Sequence, residues 1–106
     1  MDKYEVQSTR YKVRDKKYEV QSKLQKNMQD FKQRTFQFAV SVAKLIQALP
    51  YNLINKTYGG QLIRCSSSVG ANYRAARRAK SNPDVLNKFK IAEEECDESI
   101  YFLELF

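Results

Sequence analysis

The side chains best equipped for chemistry are the cations of residues 61–78, QLIRCSSSVGANYRAARR, together with Lys80 just beyond them. At about 100° per residue, a helix through this stretch gathers Leu62, Cys65, Ser66, Val69, Tyr73 and Ala76 on one face, the spacing of a core seam. The opposite face collects Arg64, Ser67, Ser68, Ala71, Arg74, Ala75 and Arg78. Three guanidinium groups then stand along a groove whose floor is too small to fill it, open to phosphates or to a second backbone. Two roles fit, and they are compatible. Arg64, Arg74, Arg77, Arg78 and Lys80 suit contacts to nucleic-acid phosphates. Ser67, Gly70, Ala71 and Ala75 suit close packing of a neighbouring helix, with the arginines solvated or salt-bridged. Gly70 costs stability inside a helix, so close approach of another helix is its best explanation.

Other chemistry finds little support. Histidine is absent, which removes the usual general base, the commonest metal ligand and the triads built on either. Ser66, Ser67 and Ser68 have no base partner in sequence and read as helix-packing residues. Glu93, Glu94 and Glu98 include i,i+4 neighbours, yet without further ligands they read as a solvated or salt-bridged face rather than a cation site. Gly59-Gly60 lacks the lysine and the strand context of a phosphate loop. Cys65 and Cys96 both fall on apolar helical faces, where a reduced thiol acts as a small hydrophobe. The expectation is a binding protein, not an enzyme, with no cofactor and no metal.

The elements that would position these residues are helices. A chain of 106 residues, 42% hydrophobic, with 3 Gly and 2 Pro suits a single all-α domain, and so short a bundle is expected to gain stability by oligomerising. The 19 bases outnumber the 12 acids, giving a net charge of +7, which favours a polyanionic partner. The charge is unevenly placed: residues 1–80 hold 17 bases and 5 acids, residues 81–106 hold 2 and 7. Pairing of the acidic helix with a basic neighbour, within or between subunits, would absorb part of it. With no signal segment and no apolar run near the roughly 18 residues that span a bilayer, the expected location is cytoplasmic, with no membrane partner.

Residues 1–23 carry a repeat in which Tyr4-Glu5-Val6, Tyr11-Lys12-Val13 and Tyr18-Glu19-Val20 recur every seven positions. Neither helix nor strand buries this pattern well, so a flexible basic arm or frayed helix is expected. Its tyrosines interleaved with cations also suit stacking on unpaired bases. From Leu24 the series Leu24, Met28, Phe31, Thr35, Phe38, Val42, Leu45, Leu49 alternates spacings of four and three, predicting a helix over 24–49 that Pro50 ends. A second helix is predicted over 53–79, weakened at Gly59-Gly60. Ser81-Asn82-Pro83-Asp84 starts a third over 83–106, with the core stripe Val85, Phe89, Ala92, Cys96, Ser99, Leu103, Phe106. The apolar pattern is still running at Phe106 with no closing signal, so this helical domain, 24–106, reads as truncated.

The strings QLIRCSSSVGANYRAARRAKS and KIAEEECDESIYFLEL resemble the small four-helix-bundle family that includes the 23S rRNA intervening-sequence proteins. The likeness runs from about Phe31 to Phe106, and Ser68-Val69-Gly70-Ala71-Asn72 is its most specific element. It implies an antiparallel helical bundle assembled as a homopentamer, with a fourth helix that this chain lacks, replaces with its N-terminal helix or recruits from another subunit. A related branch, the accessory subunit of diversity-generating retroelements, binds nucleic acid and a reverse transcriptase. The resemblance thus implies a nucleic-acid partner, RNA before DNA, with a protein-interaction scaffold for a reverse transcriptase or other partner as the alternative.

Overall fold

The structure, a computed structural model, describes the backbone of residues 3–106 and the side chains of residues 15–23 and 25–106. It is all-α: α1 spans Lys3–Ala48, α2 Leu53–Arg77 and α3 Asn82–Leu105, with no strand among the described residues. The chain divides into two units, Met1–Phe31 and Lys32–Phe106. No helix of the described residues is long and apolar enough to cross a membrane.

Of the flexible arm or frayed helix expected over residues 1–23, the backbone from Lys3 onward takes the helical form. Helix α1 begins at Lys3 and runs through the repeat, because residues 1–49 contain neither Gly nor Pro and are rich in Lys, Gln, Glu and Arg, all good helix formers. Tyr18 and Val20 of the repeat are exposed. The side chains of Tyr4 and Tyr11, which with Tyr18 carry the base-stacking expectation, lie outside the described residues.

In the second unit, local chemistry sets each helix end. Helix α1 stops before Pro50, with the Leu49 N–H donating back to the Ile46 carbonyl at 3.2 Å. Asn52 caps α2 by accepting from the Asn55 N–H at 2.8 Å, and the Asn55 side chain donates to the Pro50 carbonyl, also at 2.8 Å. Helix α2 closes two residues earlier than expected, where the Arg78 N–H donates to the Ala75 carbonyl at 3.1 Å and the Ala79 N–H to the Ala76 carbonyl at 3.2 Å. Ser81 caps α3 by accepting from the Asp84 N–H at 3.3 Å, with Pro83 in the first turn.

Leu62, Cys65 and Val42 form the centre of the core, and Phe38, Ile46, Phe102 and Leu103 pack against it. Tyr58 meets Phe102 and Phe106, Cys65 meets Ser99, and Tyr73 meets Phe89, so the contacts run in opposite order along α2 and α3. The expected α2 face is buried at Leu62, Cys65, Ser66 and Ala76 and half-buried at Val69 and Tyr73.

Two expected seams are corrected. On α1, Phe31 and Leu45 are exposed and Ile46 takes the inward place, since a true α-helix drifts about 20° per heptad from a strict seven-residue pattern. On α3, Phe89, Cys96 and Phe106 are exposed while Glu95 turns partly inward and Ser99 is fully buried. In that rotation both residues meet polar partners on α2. The Ser99 hydroxyl donates to the Glu95 carbonyl at 2.8 Å and lies 3.3 Å from the Cys65 sulfur, and Glu95 faces Arg64.

Helix α2 also passes unbroken through Gly59 and Gly60. Gly59 is a packing position: a Cβ there would stand 3.0 Å from Cγ2 of Ile46.

Candidate nucleic-acid interface

Arg74 and Arg77 occupy the last turn of α2 and Arg78 its C-cap. With Lys32 of α1 they line an open recess of 250 Å³. Arg74 and Arg78 are one helical turn apart, about 6 Å along the axis, so both heads address the same side. None of the four side chains pairs with a carboxylate among the described residues. Clustered cations repel one another, and the negative end of the α2 dipole offsets part of that, about 0.3–1 kcal/mol per charge at a helix end. The recess is thus lined by four cations without an acidic partner among the described residues.

The five cations singled out by sequence therefore separate. Arg74, Arg77 and Arg78 come together. Lys80 is exposed beyond the cap and does not line the recess. Arg64 faces α3, where its guanidinium bonds Glu95 at 3.3 and 3.4 Å and Glu98 in a shorter contact, with Nε donating to Gln61 at 3.2 Å. The hydrogen bond from Glu98 raises the Arg64 pKa above its ordinary value, desolvation opposes, and Coulombic attraction from Glu98 and Glu95 adds to the rise. Two carboxylates thus hold this cation between helices. The Cys65 thiol lies within 4.8 Å of those carboxylates but donates to the Leu62 carbonyl at 3.5 Å.

Lys32 was missed by the sequence reading. Nothing in the sequence marks it, because it reaches the arginines through the contact of α1 with α2 at Thr35 and Gly70.

The small residues of α2 play different parts. Gly70 is buried, and a Cβ on it would lie 3.1 Å from Oγ1 of Thr35. The Ser67 hydroxyl contacts the Ile63 and Arg64 carbonyls at 2.8 and 3.0 Å, and that of Ser68 donates to Arg64 at 2.9 Å. Ala75 is half-buried. Ser67, Gly70, Ala71 and Arg74 line, with Thr35, Phe36 and Ala39 of α1, an open, mostly apolar groove of 360 Å³. The groove adjoins the cationic recess, because Arg74 belongs to both.

Comparison with known proteins agrees with this helical architecture. The profile of the family described as 23S rRNA-intervening sequence protein matches residues 26–106. A crystal structure of a protein with unknown function from the S23 ribosomal protein family of Bacteroides thetaiotaomicron is 34% identical, covering 74% of this chain and 70% of that one, with a TM-score of 0.63. Among curated proteins, none matches.

Proposed function

The chain belongs to the 23S rRNA-intervening sequence protein family, and from that premise we propose that it is a non-enzymatic nucleic-acid-binding protein that holds phosphates with Lys32, Arg74, Arg77 and Arg78. The observation that carries this reading is the recess itself, four cations from two helices with no acidic partner among the described residues. The net charge of +7 supports it, and the rRNA element in the family description favours RNA over DNA. Binding is driven by charge and shape, with weak base specificity and strong salt dependence. The working form is a cytoplasmic homo-oligomer of antiparallel bundles, a pentamer by family resemblance. Exposed Leu86, Phe89 and Ile100 on α3 support an assembly that covers them.

Those same exposed apolar residues favour one second reading, a scaffold or accessory subunit whose α3 face docks a partner protein such as a reverse transcriptase. Solution mass by size-exclusion chromatography with light scattering, with and without a short structured RNA at two salt concentrations, tests the first reading. A discrete oligomer that takes up RNA at low salt and releases it at high salt is the expected result. A monomer or aggregate indifferent to RNA contradicts it.

A further inference from the structure

We propose that the groove between α1 and α2 is a slot for one unpaired base of an RNA strand whose adjacent phosphate sits in the Lys32, Arg74, Arg77, Arg78 recess. The inference rests on the phosphate-binding reading above and adds the form of nucleic acid the site takes.

Three features of the groove carry it. The first is continuity: Arg74 lines both the cationic recess and the apolar groove, so a ligand lying across it must present an anion on one side and an apolar body on the other. A nucleotide has that shape of chemistry, and an apolar helix does not. The second is Phe36, a large ring left 50% exposed on the groove wall. Aromatic rings and guanidinium planes are the surfaces on which unpaired bases stack, and here Phe36 and Arg74 border the same space. The third is the floor, where Ala39, Gly70 and Ala71 offer no side chain long enough to occupy the groove.

The polar rim completes the match. Thr35 Oγ1 donates to the Lys32 carbonyl at 3.1 Å, and the Ser67 hydroxyl donates to the preceding turn. Both hydroxyls keep acceptor lone pairs, suited to a base N–H and tolerant of which base supplies it. A volume of 360 Å³ is at the small end of ligand pockets, roughly 300–1,000 Å³. A duplex presents its phosphates to the cations but keeps its bases stacked inside, so it leaves the slot empty. The site accordingly prefers loops, bulges and single strands.

The test is a titration of RNA about eight nucleotides long, carrying a fluorescent purine analogue at its centre, against the full chain at low salt. Wild-type protein is expected to change the fluorescence on binding and to bind the analogue-bearing RNA about 5- to 150-fold more tightly than the same strand with an abasic site there. Phe36→Ala and Ala71→Leu should each abolish that difference while leaving helicity and the salt dependence of binding unchanged. Phe36→Tyr should retain it. If the abasic strand binds as tightly as its parent and neither variant changes either affinity, the slot is not a base site, while binding still weakened by Arg74→Ala would leave the phosphate recess standing. Absence of RNA binding at low salt overturns both.

Discussion

Thr35 of α1 closes directly over Gly70 of α2, so near that a Cβ on the glycine would stand 3.1 Å from the threonine Oγ1 and 3.3 Å from its Cβ. This contact brings the two helices together beside the groove that both residues line, and it makes the effect of substituting a glycine depend on its place in α2. Gly70→Leu inserts a branched side chain into that contact and should destabilise by about 1–3 kcal/mol. Gly60, with nothing within 4 Å of its ideal Cβ, should tolerate Gly60→Ala with a gain of about 0.5–1 kcal/mol from helix propensity. At roughly 4–8 °C per kcal/mol for a domain of this size, thermal melts followed by circular dichroism should move in opposite directions for the two variants. Movement in the same direction would contradict the packing.

Arg64 is a structural cation, paired with Glu95 and Glu98 of α3. Arg64→Met should lower the melting temperature by leaving Glu95, whose side chain is only 18% exposed, and Glu98 without their counter-charge. It should leave the salt slope of RNA binding unchanged. A double-mutant cycle of Arg64→Met with Glu98→Gln should show coupling in stability, and strict additivity would contradict the pairing. Because its folded-state pKa is raised, the contribution of this pair from Arg64 is present at all pH below the guanidinium's ordinary value and is lost only as pH climbs through the folded one.

The two cysteines should differ in reactivity. Cys65 is buried and Cys96 exposed, and both are free. In a Cys96→Ser variant the remaining thiol of Cys65 should resist a thiol reagent in native buffer and react fully in denaturant. Rapid native labelling of Cys65 would mean that the α2–α3 core is not packed as described.

Much of this fold was legible in the sequence, and the failures have physical causes. The small-residue face of α2 and its buried face were both readable because a single helix has one period and its apolar and polar residues are cleanly sorted. The helix starts at Asn52 and Ser81 follow from capping chemistry written in three or four adjacent residues. The rotation of α3 was hidden, because it depends on where Arg64 and Cys65 present partners to Glu95 and Ser99 from 31 and 34 residues away. The same limit applies to the site. Arg74, Arg77 and Arg78 share a helix end, but Lys32 joins them only through the α1–α2 contact, and Arg64 leaves them only through α3.

The most direct measurement is the salt dependence of RNA affinity for wild type, the Arg74→Ala/Arg78→Ala double variant and Arg64→Met. Four phosphate contacts to a single strand predict a slope of log K against log salt of about −2.8, roughly a fifty-fold loss from about 50 to 200 mM. Removing two contacts should halve the slope to about −1.4, with helicity intact, while Arg64→Met keeps the wild-type slope. Equal slopes for wild type and the double variant would contradict the claim that the recess of Lys32, Arg74, Arg77 and Arg78 is where this protein holds nucleic acid.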